Sequence, residues 1–303
     1  MSGLDTAAAP GTPVSTLGAH VRLLRLHEWI KNGFVLAPLA FVPEVSRREW
    51  PQALAAAAAF CLISSAVYAV NDVIDAPSDR HHPRKRQRPV AAGTVRPAAA
   101  YGLAALAAAG AAALAAMLPR PVTWLLLIYV ANNVAYNVVV KQLIILDVMS
   151  IAIGFVLRLL VGASAIAVEP SSWLIVCGFS LALLLGFGKR RAELGLAGTS
   201  GAVFRKTLAT YTPSVLDALL AVCSATTLLS YMLYTVAPET RAVHGTGALI
   251  WTTPFVAYGL FRFMFRVHDE TGEGPAEIVY SDGVLLLNAV VWLVVVAAIL
   301  LSS

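Results

Sequence analysis

The sequence has few charged residues for its length. Only 13% of its 303 residues are Asp, Glu, Lys or Arg, whereas 58% are hydrophobic and the mean hydropathy is +0.75. About a quarter of the residues of an ordinary soluble globular domain are charged. The composition therefore excludes such a domain and indicates a polytopic membrane protein, and we expect no nucleic-acid partner.

Cysteine is also scarce. The three cysteines, Cys61, Cys177 and Cys223, all lie inside apolar runs, where a thiol usually behaves as a small buried hydrophobic group. They indicate neither a disulfide framework nor a metal site. The histidines show no zinc-ligand spacing, and no nucleophile triad can be assembled from the sequence.

Long apolar segments make up the rest of the chain. Most reach the roughly 20 residues that a helix needs to cross a bilayer. They predict an all-α polytopic membrane protein, a nine-helix transmembrane bundle that forms a single domain over residues 21–303, preceded by a flexible tail at 1–20 without a signal peptide. The predicted spans are 30–43, 52–70, 98–118, 121–140, 144–168, 171–188, 213–237, 246–265 and 282–302.

The Lys and Arg residues are distributed unequally between the predicted loops. With the N-terminus inside, 17 of the 22 lie in the inner loops or at the inner ends of the spans and four lie in the outer loops, while Arg158 lies deep within a span. The positive-inside rule then predicts a cytoplasmic N-terminus, a polar cavity that faces the cytoplasm, and a C-terminus outside.

Three aspartates follow the second apolar run, where a helix would leave the membrane. Asp72, Asp75 and Asp79 are spaced by three and four residues, so on a continuing helix they share one face. Mg²⁺ is commonly held by one or two carboxylates together with substrate phosphates. We therefore predict that all three are catalytic magnesium ligands and that Asn71 binds substrate; the alternative is a solvated acidic turn.

A basic cluster comes next in the chain. Lys85, Arg86 and Arg88 follow the acids closely and are suited to phosphate groups. We predict that they bind substrate, so that acids and bases together indicate a site for magnesium and a diphosphate. The alternative is an anchor for the inner membrane surface or a contact with anionic lipid headgroups.

A second polar group lies on the fourth and fifth predicted spans, where we predict that Tyr136, Asp147 and Arg158 bind substrate. An arginine within a span is a functional candidate by default, because burying its charge in lipid is unfavourable. Asp147 and Arg158 are three helical turns apart on one face, too far to pair directly, so we expect something polar between them. The alternative for Arg158 is a structural contact with a neighbouring helix.

Basic residues also occur at the end of the sixth span and at the start of the first. Lys189 and Arg190 follow two glycines that allow close approach of a ligand, and Lys31 and Asn32 follow Trp29. We predict that these four residues bind substrate as well. The alternative for Lys189 and Arg190 is another cytoplasmic anchor.

The pattern Asn71-Asp-x-x-Asp75-x-x-x-Asp79 between the second and third spans resembles that of the UbiA superfamily of intramembrane prenyltransferases. The resemblance covers essentially the whole chain after residue 20. It implies a UbiA-type helical bundle and a magnesium-dependent enzyme. Tyr136 and Lys141 are similar to the Tyr and Lys of the superfamily's fourth span, which implies a catalytic role for Lys141.

One difference from typical members of the superfamily indicates which branch the sequence resembles. Typical members carry a second acidic motif after the sixth span, whereas this chain has Lys189-Arg190-Arg191-Ala192-Glu193 there. With several other short strings, this resembles the decaprenyl-phosphate phosphoribosyltransferase branch. The matching strings are Trp29-x-Lys31-Asn32, Lys85-Arg86-x-Arg88-Pro89, Ala91-Ala92-Gly93, Gly188-Lys189-Arg190 and Glu277-Ile278.

The branch implies transfer of 5-phosphoribose from phosphoribosyl diphosphate (PRPP) to a polyprenyl phosphate, with release of diphosphate, in the inner membrane of a bacterium that makes cell-wall arabinan precursors. These two substrates carry three separate phosphate groups, and the basic residues at 189–191 add positive charge for them. One alternative is prenyl transfer to an aromatic or other acceptor. Another is a transporter for a phosphorylated lipid or anion, and the sequence leaves homo-oligomerisation open.

Overall fold

The computed structural model describes residues 16–41, 49–81, 85–200, 206–269 and 275–302, and within these ranges it contains helices and no β-strand. Short 3₁₀ helices connect several of the α-helices. The α-helices are α1 (Thr16–Leu23), α2 (Glu49–Asp79), α3 (Pro97–Ala116), α4 (Arg120–Val138), α5 (Leu146–Ala165), α6 (Ser172–Ser200), α7 (Pro213–Val236), α8 (Pro238–His244), α9 (Thr253–His268), α10 (Pro275–Ser281) and α11 (Gly283–Ser302). The 3₁₀ helices are Leu26–Phe41, Lys85–Gln87, Val140–Gln142, Lys206–Thr210 and Ala248–Thr252.

Proline residues mark where several helices begin. Pro97, Pro213 and Pro238 are the first residues of α3, α7 and α8, a position where the missing N–H donor costs nothing. The Thr212 hydroxyl accepts a hydrogen bond from the Val215 amide at 3.4 Å and so caps α7. Local sequence therefore sets these helix starts.

Seven helical segments are long and apolar enough to cross a membrane, judged by length and composition within the described residues. They are Glu49–Asp79, Pro97–Ala116, Leu146–Ala165, Ser172–Gly195, Pro213–Val236, Ala248–His268 and Gly283–Ser302. Each coincides with one of the nine predicted spans.

The other two predicted spans differ from these seven. The first is a 16-residue 3₁₀ helix, Leu26–Phe41, that contains Glu28 and Lys31. The fourth is α4, which is 19 residues long and carries Arg120 and three asparagines. The number of nine spans therefore stays a prediction.

The described part of the chain begins with a helix at residue 16. Residues 1–15 lie outside the described residues, but 16–20 belong to α1, so the helical part of the chain begins before residue 21. By contacts the chain divides into two compact units. The first consists of Met1–Lys31 and Cys61–Ala111, and the second of Asn32–Phe60 and Ala112–Ser303.

Small side chains form the core of the first unit. Leu23 of α1 lies against alanines of α2 and α3 and against the loop that joins those helices. Alanine lets helices approach closely while still excluding solvent, and it has the highest helix propensity. The buried residues are Ala19, Leu23, Ala66, Ala69, Ala76, Val90, Val95, Ala100, Ala104 and Ala107.

The core of the second unit is formed by larger side chains from α5, α6, α7, α9 and α10, among them Val148, Leu184, Phe187 and Leu216, together with Tyr211 from the segment before α7. Two glycines permit its closest helix contacts. A β-carbon at Gly162 would collide with the carbonyl oxygen of Val35, and one at Gly186 would collide with the side chain of Val148. These contacts fix α5 against its neighbours.

Candidate active site

Helix α2 continues through the predicted metal-binding aspartates and ends at Asp79. The three acids therefore lie on one helical face, as their spacing predicted. Asp72 and Asp79 are buried, at 2% and 3% exposure, while Asn71 and Asp75 are half-buried. Such buried carboxylates need positive charge close by.

Two arginines supply that charge. The Arg25 guanidinium lies 2.5 Å from Asp72 Oδ1. Arg88 donates to Asp79 Oδ2 at 2.7 Å and lies 3.5 Å from Asp72 Oδ1. Arg88 was predicted to lie here, whereas Arg25 was not assigned to the site. No local signal identifies Arg25, because it lies 47 residues before Asp72 in the chain.

A small polar network holds Arg25 in place. Its guanidinium lies over the Tyr68 ring, 5.0 Å from the centroid, and its backbone has a φ of 50°. Nearby, Trp29 Nε1 donates to the Ser65 hydroxyl at 3.0 Å, which donates to the Leu24 carbonyl at 2.8 Å. The segment that carries Arg25 is thus fixed to α2 through Ser65.

The basic loop after α2 is partly described. Lys85 is half-buried and Arg86 exposed, both in a short 3₁₀ helix, while His82 and Arg84 lie outside the described residues. The loop closes through hydrogen bonds from the Val95 amide at 3.1 Å and the Thr94 hydroxyl at 2.9 Å to the Pro89 carbonyl. Gly93 has a φ of 73°, which glycine adopts without strain. This turn directs the chain into α3.

The donor chemistry of the acidic face fits a hard divalent cation. Among the residues that the structure describes, no three His, Cys, Asp or Glu side chains converge closely enough to hold a metal by themselves. However, Mg²⁺ usually takes one or two protein carboxylates and completes its shell with substrate phosphates and water. Two buried carboxylates with a third on the same face, all from α2, satisfy that requirement.

Arg158 contacts polar and aromatic groups within the second unit. Its Nε donates to Asn32 Oδ1 at 2.9 Å and its Nη1 to the Gly154 carbonyl at 2.7 Å. The guanidinium carbon lies 4.8, 5.4 and 5.2 Å from the ring centroids of Phe60, Tyr129 and Phe155. These contacts match the structural alternative for Arg158 at least as well as a role in substrate binding, which stays a prediction.

We expected a polar group between Asp147 and Arg158. The structure shows that the partner of the Asp147 carboxylate is the guanidinium group of Arg190. Arg190 donates to Asp147 Oδ2 through Nε at 3.1 Å, and its Nη2 lies 2.9 Å from the same oxygen. Its Nη1 donates to Glu193 at 2.7 Å. Within the described residues, Asp147 Oδ1 has no hydrogen-bond partner. Asp147 and Arg190 are thus a buried pair that joins α5 to α6.

The remaining predicted residues are divided between the two units. Tyr136, in the last turn of α4, lies near Arg190. Lys141 is half-buried in the 3₁₀ helix Val140–Gln142, and Lys189 is exposed. Lys31 lies 2.5 Å from Glu28, in the first unit. Each unit therefore contains its own subset of the predicted residues.

Arg191 belongs to a separate, more exposed network. Its Nε donates to Asp217 Oδ1 at 2.9 Å, and His268 Nε2 lies 3.0 Å from the same oxygen. His268 Nδ1 lies 2.7 Å from the Met264 carbonyl. Arg191 therefore has a different carboxylate partner from its neighbour Arg190.

Comparison with known proteins identifies the family. The model of the UbiA prenyltransferase family matches residues 34–281. The chain belongs to the UbiA prenyltransferase family. It is 32% identical to the decaprenyl-phosphate phosphoribosyltransferase of Mycobacterium tuberculosis, over 94% of this chain and 95% of the relative. It is 31% identical to the protein of the same name from Corynebacterium glutamicum, over 92% of this chain and 86% of the relative.

Solved structures show the same UbiA fold. A UbiA homologue from Archaeoglobus fulgidus bound to GPP and Mg²⁺ superimposes with a TM-score of 0.68 at 16% identity, over 93% of this chain and 99% of that one. A UbiA homologue from Aeropyrum pernix K1 gives a TM-score of 0.60 at 19% identity, over 88% and 98%. The predictions of the family, of an all-α membrane fold and of an enzyme are thereby confirmed.

Proposed function

We propose that this UbiA-family protein transfers 5-phosphoribose from phosphoribosyl diphosphate to the phosphate of a long, decaprenyl-like polyprenyl phosphate and releases diphosphate. The observation that carries this proposal is the basic stretch 189–191 within α6, where Lys189 is exposed and Arg190 is buried beside Asp147. Positive charge there suits substrates with several phosphate groups. The names of the relatives, which are 31–32% identical over nearly the whole chain, support the same reaction.

The acidic face of α2 is proposed to hold the metal. Asp72, Asp75 and Asp79 would be the ligands of Mg²⁺, and Asn71 beside them would bind substrate. When bound, the ion would supply positive charge that stabilises the departing diphosphate. Structural relatives that bind Mg²⁺ or Cd²⁺ support a divalent cation in this family.

Arg25 and Arg88 are proposed to have two sets of partners. They now neutralise Asp72 and Asp79. With the carboxylates holding a cation, both guanidinium groups would be available to donate to phosphate oxygens in the paired geometry that suits arginine. Lys85 and Arg86 would add to this set from the following loop.

The reaction itself needs little acid–base chemistry. An anionic oxygen of the polyprenyl phosphate attacks C1 of the ribose, a new C1–O bond forms, and the bond to the diphosphate breaks with its electron pair remaining on the leaving group. The nucleophile is already ionised near neutral pH, so no general base is required. Catalysis then rests on positioning and on charge.

Basic and polar side chains of the second unit are proposed to hold the remaining phosphates. Lys141 is assigned as a catalytic residue that contacts a reacting phosphate, and Lys189 and Tyr136 as substrate ligands. Arg190 and Arg158 would contribute through the carboxylate and the amide that they hold, Asp147 and Asn32. Lys31, on the 3₁₀ helix of Asn32, would bind substrate as well.

The proposed location is the inner membrane of a bacterium, with the N-terminus and the active site facing the cytoplasm and the C-terminus outside. The support for this orientation is the charge asymmetry, since 17 of the 22 Lys and Arg residues fall on one side of nine alternating spans. The polyprenyl chain would then remain in the bilayer while its phosphate reaches the site from the cytoplasmic side. An integral membrane protein agrees with the seven apolar helices and with the family.

The test is a transfer assay with purified protein in lipid nanodiscs. Radiolabelled phosphoribosyl diphosphate, Mg²⁺ and decaprenyl phosphate should give a labelled lipid and an equal amount of diphosphate. Asp75→Ala should abolish both products while the protein remains folded. Asp282→Asn is the control, because Asp282 is an aspartate outside the acidic face of α2 that pairs with Arg262 and whose Oδ1 caps α11 through the Val284 and Leu285 amides.

Prenyl transfer, the alternative reaction, predicts a different result in the same assay. If a labelled lipid forms only when a prenyl diphosphate and an aromatic acceptor are supplied, the protein is a prenyltransferase. If Asp75→Ala retains full activity with phosphoribosyl diphosphate, the acidic face of α2 does not hold the catalytic metal.

A further inference from the structure

Helix α5 begins with a backbone turn that is unusual for a β-branched residue. Ile145 has φ 68° and ψ −48°, and the Leu146 amide donates to the Ile144 carbonyl at 2.7 Å. Together these values describe a γ-turn of the rare, strained kind with positive φ. A β-branched residue stays in such a conformation only where its surroundings hold it there. The turn therefore needs a partner outside the local chain.

Tyr211 provides that partner from 66 residues further along the chain. The Ile145 amide donates to the Tyr211 hydroxyl at 2.8 Å. Tyr211 is 5% exposed and belongs to the same core cluster as Val148 and Leu216, so its ring cannot easily turn away. Burial raises the pKa of Tyr211, and the charge of Asp147 acts in the same direction. The hydroxyl therefore stays protonated near neutral pH, and its oxygen accepts the hydrogen bond from the Ile145 amide.

The turn lies between two residues assigned to the proposed reaction. Lys141 is four residues before Ile145, and Asp147 is two residues after it, paired with Arg190. The Asp147 amide also donates to the Leu143 carbonyl at 3.1 Å, across the turn. Any change in φ at Ile145 would rotate the chain before it relative to the chain after it. Lys141 and Asp147 keep their relative position only while the turn is held.

We infer that Tyr211 is a positioning residue for the transfer reaction, because its hydroxyl locks the γ-turn at Ile145 and thereby fixes Lys141 relative to the Asp147–Arg190 pair. The inference rests on the proposed function, which assigns Lys141 and Asp147 their roles. Tyr211 itself need not touch substrate. Its link to Ile145 also ties the segment before α7 to the start of α5.

The first test does not use activity. Tyr211→Phe keeps the ring and removes only the hydroxyl. Hydrogen exchange measured by mass spectrometry should then rise by about three- to tenfold in peptides that cover residues 139–148, because one neutral hydrogen bond is lost. Tyr234→Phe is the matched control, since Tyr234 is 6% exposed and its hydroxyl lies 3.4 Å from His244 Nε2. That variant should leave exchange at 139–148 unchanged.

The second test asks whether the effect of Tyr211→Phe on activity depends on the residue at position 145. Tyr211→Phe should raise the KM for phosphoribosyl diphosphate by about three- to tenfold, the same single-bond factor. KM does not depend on the amount of folded protein, so a general loss of stability would not produce this change. Ile145→Gly allows positive φ without strain. In that background the effect of Tyr211→Phe should largely disappear.

Two results would overturn the inference. One is exchange at 139–148 that rises no more in Tyr211→Phe than in Tyr234→Phe. The other is a KM effect of Tyr211→Phe that is equally large in the presence of Ile145→Gly, since the two sites would then be independent. If the wild-type protein transfers no phosphoribose, the proposed function fails, but the exchange experiment still decides whether Tyr211 holds the turn.

Discussion

The end of α2 and the region of α6 around Arg190 stabilise buried charge in opposite ways. At the end of α2 the helix carries the anions, Asp72 and Asp79, and arginines from other segments neutralise them. Within α6 the helix carries the cation, Arg190, and two carboxylates neutralise it, one of them Asp147 from α5.

The two arrangements also differ in the exposure of the partners. The side chains of Arg25 and Arg88 are 19% and 26% exposed, so they can leave the acids when another cation arrives. The side chains of Arg190 and Asp147 are 4% and 0% exposed and have little room to separate. The first arrangement suits a site that exchanges its counter-ion, and the second suits a permanent link between helices.

The largest expected effect tests the exchangeable arrangement. Asp72→Asn keeps an oxygen that can accept from Arg25 but removes the charge that would bind Mg²⁺. Transfer activity should fall by about a hundred- to a thousandfold, a loss typical for removal of charge stabilisation in a transition state. The thermal midpoint should change little. Chelation of divalent cations should reduce wild-type activity to the same extent, and added Mg²⁺ should restore it.

The control for Asp72→Asn is a substitution of a buried aspartate outside the acidic face of α2. Asp282→Asn removes another buried aspartate that pairs with an arginine. It should retain the wild-type dependence on Mg²⁺ concentration. If Asp72→Asn does so too, the carboxylates of α2 are structural and the contrast with α6 disappears.

The next effect tests the permanent arrangement. Asp147→Asn leaves Arg190 buried with less negative charge, and loss of one partner of a buried pair typically costs about 3–5 kcal/mol. The free energy of unfolding should fall accordingly, as measured by denaturant titration in detergent micelles. Arg25→Gln should lower it less, because Arg88 remains 3.5 Å from Asp72 Oδ1. Equal losses of unfolding free energy in both variants would show that the two ion-pair arrangements do not differ in their contribution to stability.

A smaller effect separates Lys189 from Arg190. If exposed Lys189 contacts substrate phosphate, Lys189→Gln should raise the KM for a phosphorylated substrate by about ten- to a hundredfold, the value of one charged hydrogen bond. The free energy of unfolding should stay the same. Arg120→Gln, an exposed cation on the predicted outer side, serves as the control and should not change KM. An unchanged KM in Lys189→Gln would restrict α6 to a structural role.

The smallest effect concerns Arg191. Its partner Asp217 is 36% exposed, and exposed ion pairs contribute about 0.2–1 kcal/mol. Arg191→Gln should therefore lower the free energy of unfolding by no more than that amount and should leave KM unchanged. A large loss of activity would place Arg191 in the site together with its two neighbours.

The sequence predicted the helices better than the contacts between them. Apolar runs of about 20 residues identified seven helices, and the spacing of Asp72, Asp75 and Asp79 predicted a shared face. Partners distant in the chain were not predictable. Arg25 and Asp72 are 47 residues apart, Asp147 and Arg190 are 43 apart, and Asn32 and Arg158 are 126 apart. Such pairs depend on how helices pack, which periodicity does not encode.

The position of Arg158 has a consequence for the way the protein is assembled in the membrane. An arginine near the centre of an inserting helix costs about 2.5–3.5 kcal/mol. The polar partners of Arg158 within the described residues are Asn32 and Gly154, and its ring contacts are Phe60, Tyr129 and Phe155. All of these precede it in the chain. Since synthesis proceeds from the N-terminus, α5 enters a membrane that already holds the earlier segments, and its charge can be received by protein instead of lipid.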